Sequence, residues 1–515
     1  MKSKTVKRYS KKQILSMLDP LIAEWFTNRF EDFTEPQSYA VPLIHQRKNV
    51  LVSSPTGSGK TLTAFTSIIN ELFKYSKEGK LEDRVYAVYI SPLKALANDI
   101  DKNLEEPLRE MRETAERLGT EFPNIRVGVR TGDTSQSERQ KMLRKPPHIL
   151  ITTPESLALI LAAPKFREKL SGVEYVILDE IHEVCDSKRG VFLSLTLERL
   201  QDICSKPFVR VGLSATLAPI NEVAGYLCGY ENGAPRDFNI VEIMRQRDLD
   251  IQVICPTEDM TALPYEVVNA KMYDRLSEMI NEHRTTIVFT NTRSGTENIV
   301  YKLRERGLES VEAHHGSLAK ETRLDVEERL KNGELKCVVS STSLELGIDI
   351  GFVDLVVQIG SPKSVAKGLQ RIGRSGHGHG LTSKGRILVF EKDDLVECAV
   401  LCRAAHDKHI DRVSISENCL DVLSQSVVGM SLEKRWEVDE ALELVRRSYC
   451  FRNLKKETFL EVLRYLGSKD AFEGVYPKIW YDEEENIFGR RSGSRMIYFL
   501  NLGTIPEEAN YKVFT

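Results

Sequence analysis

Short apolar runs recur along the chain, each closed by glycine, serine, threonine or proline and followed by a stretch of helical spacing. Leu51–Val52, Val85–Ser91, Tyr175–Leu178 and Phe208–Leu213 are the clearest of these runs. Strands apolar on both faces must be covered on both faces, so the alternation predicts parallel sheets sandwiched by helices. From about Ile240 the pattern restarts, with buried strands opening IVFTNTRSGTE at Ile287 and CVVSSTSLELGIDI at Cys337, the latter followed by the hydroxyls of Ser341, Thr342 and Ser343, and a sister lobe is expected. Beyond about Ala405 it turns helical: ISENCLDVLSQSVVGMSLE, WEVDEALELVRRSY and KKETFLEVLRYLG precede a β-like IWYDEEENIFGRRSGSRMIYFL. Three helices and a ribbon suggest a winged-helix module. Ahead of the first strand, Ile14, Leu15, Leu18, Leu21, Ile22, Trp25 and Phe26 give Lys12–Phe30 the spacing of an amphipathic helix.

At 515 residues the chain exceeds one core, which supports this division. Lys and Arg number 72 against 75 Asp and Glu, a net charge of −3, so a polyanion must be met by a local stripe and not by the whole surface. The nine cysteines show no paired CxxC spacing and read as free thiols. Cys398 with Cys402, and His377 with His379 in GHGHG, are weak as metal ligands without further partners. Neither an apolar leader region nor a membrane-length apolar run is present in the sequence.

The most specific chemistry lies in LVSSPTGSGKT, Leu51–Thr61. A strand, a glycine-rich turn and a helix form a phosphate cradle in which Thr56, Gly57, Ser58 and Gly59 turn backbone N–H groups inward. Lys60 reaches the terminal phosphates and the Thr61 hydroxyl is placed for Mg²⁺. Ser54 stands where the pattern has its first glycine. Strand Tyr175–Leu178 ends in DEIH, where Asp179 is the expected magnesium partner of Thr61 and Glu180 the base or orienter for the attacking water. His182 is expected to sense the phosphate side, and Ser214 and Thr216 of LSAT to hydrogen-bond the DEIH loop. Just before the cradle, Gln37 suits an adenine edge, and Phe30 or Phe33 its face.

Other strand-end loops carry hydroxyls, amides and cations suited to sugar and phosphate. They hold Lys94 and Asn98, then Thr131 and Gly132, then Thr153 and Pro154, and in the second lobe Thr290, Asn291 and Arg293. Taken singly, each reads equally as a helix cap. QRIGRSGHGHG places Gln370 beside Arg371 and Arg374, three apart on one helix face, with forked donors suited to a transferring phosphoryl group. In the tail, Trp480, Tyr481, Arg490, Arg491, Arg495 and Tyr498 read evenly as a base-stacking cluster or as ribbon packing.

The ordered set FTEPQ, SPTGSGKT, DEIH and SAT resembles superfamily two helicases, and DEIH with its trailing Lys188–Gly190 looks like the large-helicase-related (Lhr) group. The resemblance implies an α/β fold of two tandem RecA-like parallel-sheet lobes followed by a mostly helical winged-helix domain. The boundaries expected are 1–240, 241–405 and 406–480, with 481–515 opening a further domain into which the family usually continues. It also implies that Thr342 and Ser343 face nucleic acid, that Gly347, Asp349 and Gln370 lie on the nucleotide side, and that Arg374 is the leading arginine finger with Arg371 second. His377 stands where many superfamily members carry a third arginine. In the family the winged helix packs on the second lobe.

The same resemblance implies an ATP- and Mg²⁺-dependent enzyme moving 3′ to 5′ on single-stranded DNA and opening DNA or RNA:DNA duplexes. It would be a monomer of the cytoplasm and nucleoid, working in repair or recombination. An RNA or hybrid remodeller, and a clamp that binds ATP without turnover, are the alternatives. The short interval 351–369 leaves no room for a long strand-separating hairpin.

Overall fold

The computed structural model describes residues 6–503 apart from 56–57, 93, 244–247, 261–262, 346–350, 377–381, 408 and 469–475, with the backbone alone at 94–103 and 320. Lobe one is built on strands β1 (Val50–Ser53), β2 (Ala87–Ile90), β3 (Val127–Arg130), β4 (Ile149–Thr152), β5 (Tyr175–Leu178) and β6 (Val209–Ser214). A small hairpin of β7 (Tyr230–Glu231) and β8 (Ala234–Pro235) leads to β9 (Asn239–Glu242). The main sheet runs β3-β4-β2-β5-β6-β1-β9 with every neighbouring pair parallel. Its inner strands are buried at every position, as VLVS, AVYI, ILIT and YVIL require.

Lobe two repeats the plan with β10 (Leu249–Ile254), β11 (Thr286–Phe289), β12 (Val311–His314), β13 (Cys337–Ser340), β14 (Leu355–Ile359) and β15 (Ser383–Leu388). These lie in the order β10-β15-β14-β11-β13-β12, again all parallel. The tail adds an antiparallel ribbon of β16 (Trp436–Glu437), β17 (Ile479–Asp482) and β18 (Ile487–Arg490), β18 in the middle.

Four expectations are corrected. The boundary at 240/241 falls inside β9, which pairs with β1 from Val50↔Asn239 to Ser53↔Glu242, so lobe one runs through Glu242. The boundary at 480/481 falls inside β17, whose pairing with β18 keeps the ribbon in the helical module. The amphipathic helix Lys12–Phe30 is broken: Lys11–Leu15 and Pro20–Arg29 are separate helices. Asp19 precedes proline, sits extended, and accepts the Leu21 N–H at 3.1 Å, so the Asp19–Pro20 pair starts a helix instead of continuing one.

The fourth concerns the module's seat. One apolar cluster runs from Leu51 and Val176 of lobe one into Val422, Leu442, Leu463 and Tyr498, so among the described residues the module packs on lobe one and not on lobe two. Helix Lys188–Ile203 is the contact, meeting helices Leu420–Ser431 and Val438–Arg447. Buried polar ties reinforce it: Arg199 Nη2 donates to Glu433 Oε1 at 2.5 Å, and the Ser194 and Ser448 hydroxyls lie 2.6 Å apart. Tyr498 is 3% exposed with its hydroxyl 3.4 Å from Arg199 Nη1, so that member of the tail's aromatic cluster is core.

The chain returns from lobe two to this body through residues 409–419. On that path Asp411 accepts from the Ser364 hydroxyl at 2.7 Å, and Val413 N–H donates to Ala218 O at 2.7 Å. Lobe two is thereby tied at one end of the connection and lobe one at the other.

Candidate nucleotide site and nucleic-acid edge

Strands β5, β6 and β1 are neighbours, so the loops leaving their carboxyl ends share one part of the sheet edge. At β1, Gly59 has φ 80° and caps helix Lys60–Lys77, and a Cβ there would lie 2.9 Å from Gln37 Nε2. Lys60 is buried and its Nζ donates to Ser54 O at 2.7 Å, folded back over the cradle. The Ser58 hydroxyl donates to Pro55 O at 2.7 Å, and Thr61 is half-buried at the helix start. Gln37 accepts from Thr34 N–H at 2.9 Å in a capping box, which fixes its amide against the turn. Phe30 is half-buried, with its ring edge-on to Trp25.

At β5, Asp179 and Glu180 are both buried, and Glu180 holds φ 43°, a left-handed backbone that a non-glycine residue adopts only under local constraint. Asp179 accepts the Glu180 N–H at 3.0 Å. Burial and the adjacent Glu180 charge push the Asp179 carboxyl up. Tyr89 of β2 faces the pair, and burial and Asp179 drive its hydroxyl well above the usual phenol range. Burial also pushes the Lys60 ammonium down, against the pull of Glu180 and Asp179.

His182 stands between this loop and β6. Its Nδ1 is 3.1 Å from the Ser214 hydroxyl and accepts from Ala215 N–H at 3.4 Å, while Nε2 is 3.3 Å from Glu183. Burial opposes its charge, but Glu183 and Glu180 outweigh burial and raise the imidazole. Thr216 is half-buried beside them.

Lobe two closes onto the same place. Arg374 is 2% exposed, donates to Glu345 O at 2.9 Å, and lies near enough to Glu180 to be held by its charge against burial. Arg371, three residues earlier, is occupied inside lobe two: it pairs with Glu345 at 3.0 Å, donates to Gln358 Oε1 at 2.7 Å and lies 5.3 Å over the Phe289 ring. Gln370 is 9% exposed on the same helix. Burial raises the Glu183 carboxyl, but His182 outweighs it, and Lys367 and Gln370 of lobe two add to the lowering.

The other half of the lobe-one edge, at β2, β4 and β3, carries the phosphate-type loops. Thr153 caps helix Pro154–Leu161, with Pro154 as the first residue of that helix. Thr131 accepts from Asp133 N–H at 3.3 Å, and Gly132 is exposed. In lobe two, Asn291 donates to Ser361 O at 2.8 Å and Arg293 to the Ser317 hydroxyl at 2.8 Å. Thr290 is buried and donates to Thr292 O at 2.8 Å. Thr342 is exposed, whereas Ser343 turns inward, 2.7 Å from His314 Nδ1. Thr56, Gly57, Gly347, Asp349, His377 and His379 lie outside the described residues, as do the side chains of Lys94 and Asn98.

Sequence reading missed three residues here. Glu345 was signalled as a lone charge in an apolar run, which must find a partner when buried. Tyr89 and Glu183 carried no signal, because only the folded sheet and the closed lobes bring them to the site.

Two parallel-sheet lobes with a P-loop and an acidic strand end on one, and arginines from the other, define the core of a superfamily two helicase. Family profiles match in that order: DEAD/DEAH box helicase over residues 34–223, helicase conserved C-terminal domain over 271–379, and large helicase-related protein, winged helix domain, over 403–515. The chain belongs to the Lhr family of these proteins. It is similar to the ATP-dependent helicase Lhr-Core of Methanothermobacter thermautotrophicus, 55% identical over 99% of this chain and 60% of that protein. Lhr-Core of Methanocaldococcus jannaschii is 53% identical over 98% of this chain and 59% of its own length. The Mycobacterium smegmatis helicase Lhr bound to ssDNA and AMP-PNP superposes with a TM-score of 0.88 at 38% identity, covering 98% of this chain and 64% of that one. The chain thus spans about 60% of the length of the curated relatives it matches.

Proposed function

We propose that this chain is an ATP-dependent motor that moves 3′ to 5′ along single-stranded DNA and opens DNA or RNA:DNA duplexes, in repair or recombination. The observation that carries the reading is the convergence of Lys60, Asp179 and Glu180 of lobe one with Arg374 of lobe two. Such a site is complete only when the lobes close, which couples hydrolysis to their relative movement. Both lobes also present strand-end loops along one edge.

Lys60 leaves Ser54 O to meet the terminal phosphates as a point charge. Glu180 Oε2 is buried without a hydrogen-bond partner, and this orphan acceptor beside Asp179 fits a divalent cation and an ordered water. Thr61 and Asp179 would hold Mg²⁺, which when bound neutralises charge on the phosphate oxygens. Glu180 orients the attacking water and Arg374 stabilises the charge of the transferring group. His182, between Ser214 and Glu183, passes the state of the site to Lys367 and Gln370 of lobe two. Gln37 and Phe30 would border the adenine and Gln370 the nucleotide from lobe two, with Asp349 proposed from sequence alone for the ribose and Gly347 beside it. Gly132, Asn291, Arg293 and Thr342 would meet the strand directly, with Thr131, Thr153, Pro154, Thr290 and Ser343 shaping the loops beneath them and Lys94 and Asn98 proposed from sequence alone, and contacts to sugar and phosphate give little sequence preference.

ATP hydrolysis without nucleic acid, with single-stranded DNA and with single-stranded RNA, beside Glu180→Gln as the blank, tests this. Stimulation by DNA that the blank lacks is expected. Stimulation by RNA alone would replace the DNA reading with the RNA remodeller, and no stimulation by either strand would leave a clamp or a motor that needs more of the length its relatives have, which the same assay on a longer chain separates.

A further inference from the structure

A cleft of about 730 Å³ opens on lobe one between helix Gln136–Arg144, the turn Pro164–Arg167 and helix Ser494–Leu500 of the winged-helix module. Arg130, Arg139, Arg144, Lys165 and Arg495 line it, and no acidic side chain does. Among the described residues none of these five cations forms an ion pair. Elsewhere in lobe one Arg29, Arg47, Arg126, Arg189, Arg199 and Arg210 all do. Like charges gathered in a concave site without acidic partners raise the energy of the empty protein and are relieved by an anion. Burial and Arg139 together push Arg130 down to about 10, the direction such crowding dictates.

Two of the cations are held on aromatic planes. Arg130 lies 4.4 Å over Phe166 and Arg495 5.4 Å over Phe499. Stacking leaves the edges of each guanidinium free to fork onto phosphate oxygens. Arg139 Nη2 donates to Gly132 O at 3.2 Å while its buried Nε has no partner. The cleft is therefore tied to the Thr131–Gly132 loop at the end of β3, and a strand leaving that loop meets the cleft next.

We propose that this cleft is a second nucleic-acid contact that holds the phosphates of a single strand beyond the track between the lobes. The proposal rests on the nucleic-acid motor reading and extends it to a surface shared by lobe one and the winged helix. It makes the module part of the binding surface through Arg495, although its overall charge is mixed.

Arg144→Glu with Lys165→Glu reverses two of the three exposed cations of the cluster, and Arg144→Gln with Lys165→Gln is the milder control. Strand affinity is measured by fluorescence anisotropy across salt for single-stranded DNA of about 8 and about 30 nucleotides, lengths below and above a compact site. ATP hydrolysis with the shorter strand is followed in parallel. The expected result is unchanged stimulation by the short strand, with affinity for the long strand down about tenfold and the log–log salt slope reduced by about 1 to 2. Unchanged long-strand affinity and slope in both variants overturn the cleft while leaving the motor reading in place. A parent protein that binds neither strand overturns both.

Discussion

Arg371 and Arg374 sit three residues apart, yet their surroundings assign them different work. Arg371 is paired to the buried Glu345 and Gln358 within lobe two, whereas Arg374 faces Glu180 across the cleft. Arg374→Ala is expected to cut ATP hydrolysis by about 10³-fold with thermal stability retained, since a finger acts on the transition state. Arg371→Ala should instead lower stability by about 3–5 kcal/mol, because Glu345 keeps a buried charge without its partner. Thermal unfolding beside steady-state hydrolysis separates the two, and equal loss of activity at unchanged melting temperature would put both arginines in the chemistry. The motif spelling alone carried Lys60, Asp179, Glu180 and Arg374 to one nucleotide site. It ranked Arg374 ahead of Arg371 as a finger but was silent on the pair that holds Arg371, because that depends on Glu345 lying 3.0 Å away in space.

Buried parallel strands announce themselves, and Tyr175–Leu178 is read from sequence to the residue because YVIL is apolar on both faces and bounded by polar turns. Element ends are less legible where a single pair decides them, as Asp19–Pro20 does. The edge of the first sheet offers a test of its own. His148 enters β4 at 2% exposure, accepting Arg126 N–H at 3.2 Å, and burial followed by the Arg126 charge pushes its imidazole down to about 4. An unfolded histidine titrates near about 6.5, so above that pH neither state carries the proton. Between there and about 4 the unfolded chain takes up a proton that the folded one refuses, and stability is lost as pH falls. His148→Gln should flatten the melting temperature against pH over that window. An identical slope in the variant would assign the acid sensitivity to other groups.

The winged-helix module and lobe one share an apolar core, so together they form one body, and lobe two is the other. Fluorophores on lobe one and the module are expected to keep their separation when a non-hydrolysable ATP analogue is added, while a pair spanning lobes one and two changes. A shift in the first pair would show that the shared core yields during the cycle. The family resemblance had pointed the module at lobe two, and nothing in its own helices contradicted that, since an amphipathic face does not name its partner. The chain crosses between the two bodies twice, once after Glu242 and once along residues 409–419, where Asp411 grips one side and Val413 the other. Two crossings bind the bodies more closely than one would: how far lobe two can part from lobe one is bounded by the backbone itself, whatever strand or nucleotide arrives.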